Sequence, residues 1–324
     1  VQGMLADPAI DDRDPAVRAG LDYILSFRQP NGSICDQILS NYNTAICLSA
    51  LAQSKRTDVA EAIVPAQNFI RSTQWSEQSI DHPETGRVDP SHPFYGGIGY
   101  GHSERPDLSN LAIALEGLAD SGVASDDAAF KRATTFLQRL QMSDAVNDME
   151  YADGSFQGGF IYSTSPSGSE LGAGESKAGL IDESLIDGTT VSRLRAYGSM
   201  TYAGFKSYIY ANLDRDDPRV TLAYDWIRQH YTLQENPGAG TDGMYYYFVT
   251  FARALDAWGL PTIHTINPDG TPGETRDWAN DLIDRLAELQ NPDGSFKVID
   301  DRWMEDNPVL ITAYSLVALQ HAVR

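Results

Sequence analysis

The sequence predicts an all-α protein, an α/α toroid (barrel) of about five to six outer/inner helical hairpins. Three observations predict it. An amphipathic helix with an acidic start recurs along the chain. A second helix type, poor in charge and rich in small residues, alternates with it. Turns made of Asn, Pro, Asp, Gly and Ser separate the two.

The amphipathic helix spans 11–29 (DDRDPAVRAGLDYILSFRQ), 125–141 (SDDAAFKRATTFLQRLQ) and 214–231 (DRDDPRVTLAYDWIRQHY), with looser copies at 56–74 and 275–290. Asp at the N-cap accepts orphan backbone N–H groups, and Pro suits the first helical position. Several copies end in Gln followed by a turn, QPNGSI at 29–34 and QNPDGSF at 290–296. The second helix type falls at 44–53, 111–122, 201–212, 250–259 and 312–322. Its Ala, Leu, Ser and Tyr on several faces predict burial on more than one side, as an inner ring helix requires. Each hairpin then buries its apolar face only against its neighbours. An open solenoid is the architectural alternative; inserts of unequal length favour closure, because such loops gather at one mouth of a ring.

The reading makes residues 1–324 one domain with two long inserts, 76–106 and 143–196, both rich in Gly, Ser, Pro and Tyr and without a helical period. Inserts of that length point to function. The stretches FYGGIGYGHSERPDLSN at 94–110 and QGGFIYS at 157–163 are aromatic, whereas 163–184 reads as mobile.

Composition bounds the function. Hydrophobic residues make up 42% and charged residues 21%, the balance of a soluble globular chain. No apolar run approaches the roughly 18 residues of a membrane span. A formal net charge of −21 repels phosphate backbones and speaks against a nucleic-acid partner. The two cysteines, Cys35 and Cys47, form no CxxC pairs, which excludes a structural zinc cluster, and two free thiols are favoured over a disulfide. No cofactor is implied. The chain begins at Val1 without an initiator Met, from which we expect an exported protein with its leader removed.

The Q-x-x-x-G-x-F pattern of 290–296, with shorter and divergent versions at 28–34 (RQPNGSI) and 153–160 (DGSFQGGF), resembles the QW-type repeat of the prenyltransferase and squalene-cyclase superfamily. As repeat architecture the resemblance runs from about Asp14 to Ala322. The chain is most similar to the short, single-toroid bacterial members of the prenyltransferase/squalene oxidase repeat family. The resemblance implies a terpenoid-cyclase-like or prenyltransferase-like toroid with a small molecule in its central cavity. Polysaccharide lyases and complement-type thioester domains share that architecture, so it does not define the chemistry.

Class II terpene cyclases protonate an alkene with an Asp of a DxDD motif where an inner helix begins. The matching string here, Asp214 to Asp217, opens an amphipathic outer helix instead, and reads as capping. Cys47 and the six histidines lack the zinc-ligand spacing of protein prenyltransferases. No DDxxD-type motif opens an inner helix, and the thioester motif GCGEQ is absent.

The inner-helix starts are therefore where chemistry is expected. They bring Asn41, Asn43, Arg105, Asp107, Asn110, Tyr197, Ser199, Tyr202, Tyr246, Asp306 and Asn307 toward one mouth, where helix N-termini favour an anionic ligand group. Asp107 is the first candidate acid or base, close in sequence to Tyr95, Tyr100 and His102; the plain alternative is an N-cap. Asp306, with Glu305, comes second under the same alternative. His102 is read as a proton shuttle or an exposed loop histidine. Arg105 suits a carboxylate or phosphate, or anchors a loop. The Tyr245–Tyr247 run suits contact with a carbocation or a sugar, or plain packing, and Tyr95, Tyr100, Tyr197, Tyr202 and Tyr246 are the candidate ligand-contacting tyrosines. Asp293, Asp300 and Asp301 fit no standard calcium loop, and no metal is expected. Three functions remain open: a terpenoid-cyclase-like enzyme, a polysaccharide-active protein binding an oligosaccharide, and a non-catalytic binding scaffold.

Overall fold

The computed structural model describes residues 1–79, 88–101, 104–184 and 188–323. Among them run eleven α-helices: α1 Gln2–Leu5, α2 Pro15–Leu25, α3 Ser40–Leu51, α4 Thr57–Thr73, α5 Leu108–Asp120, α6 Ala128–Leu140, α7 Gly198–Tyr210, α8 Pro218–Gln229, α9 Met244–Trp258, α10 Trp278–Leu289 and α11 Pro308–Ala322. Two short hairpins interrupt them, β1 Leu180–Ser184 with β2 Thr190–Leu194, and β3 Ile263–Ile266 with β4 Pro272–Arg276. No described helix is long and apolar enough to cross a membrane.

Two compact units make up the chain. The first holds residues 1–140, 162–175 and 210–212; the second holds 141–161, 176–209 and 213–324. In the first, α3 packs between α4 and α5; in the second, α11 packs on α9 and α10. Burial follows composition in most helices, but α11, expected to be buried on several sides, buries only the stripe Ile311, Ser315 and Ala318. Helices α5, α7 and α9 are buried along nearly their whole length, whereas α2, α8 and α10 bury a single stripe.

The predicted punctuation is present. The Asp14 carboxylate accepts the N–H groups of Ala16 and Val17, Asp277 that of Asn280, and Asn307 those of Val309 and Leu310. Asp217 accepts the Arg219 N–H and pairs with the Arg219 guanidinium at 2.6 Å. The string at 214–217 is thus the start of α8.

Two of the glutamines that follow an amphipathic helix repeat one bonding pattern, whereas the side chains of Gln29 and Gln290 bond within their own turns, to the carbonyls of Phe27 and Cys35 and of Gly294. In the first unit the Gln74 Nε2 donates to the carbonyls of Gly96 (3.0 Å) and Ala129 (2.9 Å). In the second, the Gln141 Nε2 donates to those of Gly158 (2.8 Å) and Arg219 (2.9 Å). Gln74 thereby joins the end of α4 to the start of α6, and Gln141 reaches the start of α8. The two glycines repeat as well. Gly96 (φ +83°) and Gly158 (φ +85°) lie so close to the next helix that a Cβ would stand 1.9 Å from the Arg132 carbonyl oxygen and 2.7 Å from that of Leu222. Positive φ and close approach together require Gly.

Three expectations need correction. The inner helices begin three to six residues earlier than predicted, at Ser40, Leu108, Gly198, Met244 and Pro308, because polar and aromatic residues continue the helix into its first turn. The insert 143–196 contains regular structure, a 3-10 turn at Glu150–Ala152 and the β1–β2 hairpin, and β3–β4 forms a second hairpin. The stretch 163–184, read as mobile, is partly tied by backbone pairing between Ser163 and Glu175 and by strand β1. Pairing between strands is non-local and leaves little periodic trace in so short a segment.

Candidate functional site

Asp107 is the N-cap of α5 and has no accessible surface. Its carboxylate accepts the Asn110 backbone N–H (2.9 Å) and the Asn110 Nδ2 (2.8 Å). Tyr162 also hydrogen-bonds to it, and the Arg105 charge lies near. Burial outweighs these contacts and pushes the carboxyl up to about 6. The acid is therefore half-protonated near pH 6, above the range of an ordinary aspartate.

Backbone pairing fixes the surroundings. The Asp107 N–H donates to the Ile98 carbonyl, and the Asn41 N–H to that of Tyr100, so the starts of α3 and α5 meet at one loop. The Asn41 Nδ2 donates to the Gly99 carbonyl (2.8 Å). The Tyr100 and Tyr162 hydroxyls stand 3.4 Å apart, and the Tyr42 and Tyr100 ring centroids 6.1 Å. Burial and the Asp107 charge push the Tyr100 phenol up. Arg105 donates through Nη1 to the Ser165 carbonyl and to the Glu175 carboxylate, each at 2.6 Å, and lies 5.6 Å from the Tyr162 ring centre. Arg105, Asp107, Asn110, Tyr100, Tyr162 and Glu175 thus form one cluster in the first unit. Tyr162 and Glu175 were not anticipated from the sequence. The aromatic QGGFIYS stretch was a signal for Tyr162; nothing in the sequence pointed to Glu175.

The other predicted residues are placed as follows. The Asn43 Nδ2 donates to the Ile38 carbonyl, next to Leu39 in the left-handed region, and closes the turn that starts α3. The Tyr95 hydroxyl donates to Glu77 (2.5 Å) beside a core of Trp75, Val88 and Phe94. Tyr197 and Tyr202 are buried in the second unit; Tyr202 packs edge-on to Tyr247 (5.7 Å). Tyr246 is half-buried, 6.3 Å from Tyr314. His102 lies outside the described residues.

Asp306 is exposed, and the buried carboxylate of that segment is its neighbour Glu305. Glu305 accepts the N–H groups of Tyr245 (3.0 Å) and Tyr246 (2.8 Å) and caps α9 from a distant stretch of chain. Burial pushes it up to about 7 against those two bonds. Trp303 and Met304, both with positive φ, turn the backbone so that residue 305 points inward. Among the described residues no group of three or more His, Cys, Asp or Glu is placed to hold a metal ion, and Cys35 and Cys47 are unbridged.

A cleft of about 560 Å³ opens in the second unit, with neither Asp107 nor Glu305 in its lining. Its walls are polar, with Arg228, Arg276, Asp281, Asp284, Arg285 and Glu288 among them. Arg276 clamps Asp281 in bidentate fashion (2.9 and 2.7 Å), and the Tyr231 hydroxyl donates to the same carboxylate (2.6 Å).

Comparison with solved structures gives the fold. The type II terpene cyclase MstE from Scytonema, without ligand, superposes with a TM-score of 0.54 at 16% identity, covering 99% of this chain and 73% of that one. A protein from Actinoplanes gives 0.47 at 15% identity over 95% and 99%. A variant of the same cyclase in complex with geranylgeranyl dihydroxybenzoate gives 0.36 at 14% over 99% and 97%. No protein-family model and no curated protein matches the chain. The chain thus has the fold of a type II terpene cyclase, the all-α toroid that the alternating helices predicted.

Proposed function

We propose that this protein is a terpenoid-cyclase-like member of the prenyltransferase/squalene oxidase repeat family, which takes an apolar small molecule in its central cavity and uses Asp107 as its acid. One observation carries the reading. A wholly buried carboxyl, holding its proton to about pH 6, opens an inner helix among the phenols of Tyr100 and Tyr162. That is where a class II cyclase is expected to place its acid.

The chemistry follows from the cluster. The Asp107 proton passes to an alkene carbon, the π pair forms the new C–H bond, and a cation is left on the adjacent carbon. The carboxylate that remains is stabilised by the two Asn110 donors and the Arg105 charge. Phenol faces attract the cation by cation–π contact. A buried acid with a pKa near the working pH suits general acid catalysis, typically worth about 10²–10⁴-fold.

Incubation with squalene and with prenyl diphosphates tests it. Turnover that falls by roughly 10²-fold or more in Asp107→Asn, with the fold intact, is the expected result. Neither binding nor turnover of any of these substrates would remove the reading and leave a binding scaffold. The polar cleft favours a second reading, a polysaccharide-active protein, since arginines and carboxylates suit a hydroxyl-rich chain. Incubation with a panel of acidic glycans, monitored for unsaturated product by ultraviolet absorbance, tests that one.

A further inference from the structure

An acid that transfers a proton must come within hydrogen-bond reach, about 3 Å, of the atom receiving it. Asp107 has no accessible surface, so something over it must move. Leu108 and Leu111, which follow it in α5, are fully buried. Tyr162, whose side chain hydrogen-bonds to Asp107, opens a segment of different character. Residues 162–175 are the one stretch of the insert 143–196 that belongs to the first unit. They fold back on themselves through backbone bonds between Ser163 and Glu175, and between Gly174 and Thr164.

This hairpin grips the start of α5 by polar bonds. The Tyr162 carbonyl accepts the Leu108 N–H (2.8 Å), the Ser163 hydroxyl donates to the Pro106 carbonyl (2.7 Å), and Arg105 reaches the Ser165 carbonyl and the Glu175 carboxylate. Its tip, 166–173 (PSGSELGA), is exposed or half-buried. Its base, residues 162–165, is buried, whereas the exposed tip has little apolar burial and belongs to the least stable part of a fold.

We propose that hairpin 162–175 is a hinged cover over Asp107, latched by the Arg105–Glu175 ion pair, and that ligand reaches the acid only when the latch opens. The inference rests on Asp107 being the working acid, yet opening is measurable without turnover. Glu175 is a positioning residue under this account, and touches no substrate.

Carbodiimide-driven coupling of an amine to carboxyl groups, read by mass spectrometry on the whole chain, measures access to Asp107. Glu175→Gln is expected to label Asp107 at least tenfold faster than wild type, with Glu305 labelling unchanged as the control for global loosening. Asp107 labelling at the wild-type rate, or rising in step with Glu305, would overturn the proposal. Hydrogen exchange on unaltered protein gives a second test that needs no variant to fold. The Leu108 amide, held by Tyr162, is expected to exchange at least tenfold faster than amides in the middle of α5. Equal protection would contradict a cover that opens on its own. Labelling as predicted without turnover of any substrate would retain the cover and remove the cyclase reading. Turnover that depends on Asp107, without enhanced labelling, would do the reverse.

Discussion

Two carboxylates, one in each unit, sit at the starts of inner helices, and the contrast between them separates structure from function. Asp107 caps its own helix, α5, and Glu305 reaches over from a different segment to cap α9. Both are buried and both hold their protons well above the ordinary carboxylate range. Their neighbours differ. Around Asp107 stand phenol hydroxyls and an arginine, held under a polar hairpin. Glu305 meets backbone N–H groups, with the Asp300 charge near it. A raised carboxyl alone therefore does not mark a reacting group; groups able to bind or stabilise a reacting partner must surround it.

The pH dependence of stability gives the largest effect on the fold. Both acids have folded-state values above their unfolded ones, so each destabilises the fold when ionised. Stability is expected to rise as pH falls, through about 7 to 4.5 for Glu305 and about 6 to 3.8 for Asp107. For Asp107 the shift corresponds to about 3 kcal/mol between the two ends of its window. Denaturant titrations at pH 8 and pH 5 check it. Asp107→Asn should flatten the lower part of the profile and Glu305→Gln the upper part.

Next in size is the loss of the α9 cap. Glu305→Ala leaves the Tyr245 and Tyr246 N–H groups without their acceptor and is expected to cost about 1–2 kcal/mol. Thermal unfolding measures it, and turnover should stay within a few-fold of wild type. The smallest effect belongs to the DxDD-like string. Asp217→Ala removes one cap bond and an ion pair of partly exposed groups, and should cost about 1 kcal/mol with activity unchanged. A loss of activity equal to that of Asp107→Asn would move the acid to α8 and reverse the assignment.

What the sequence reveals here follows the range of the interactions. Caps at Asp14, Asp217 and Asp277 act within three residues, and all were legible. The Gln-turn was legible at 29–34 and 290–296, where the Gln bonds within its own turn; the links of Gln74 and Gln141 to the carbonyls of Ala129 and Arg219 were not. Asp107 was legible because an Asp after Pro opens a low-charge helix. Its contacts were not, since Glu175 lies 70 residues from Arg105. In the segment 305–306 the sequence placed a carboxylate at α9's neighbour but chose Asp306, because two successive left-handed residues, Trp303 and Met304, reverse which side chain turns inward.

The central claim is that Asp107 is a buried acid that holds its proton up to about pH 6. A ¹³C NMR titration of the Asp carboxyl signals, with Asp107→Asn to assign the resonance, tests it most directly. The account predicts that the Asp107 signal titrates near 6. A signal that titrates below 4, like an ordinary capping carboxylate, would contradict it.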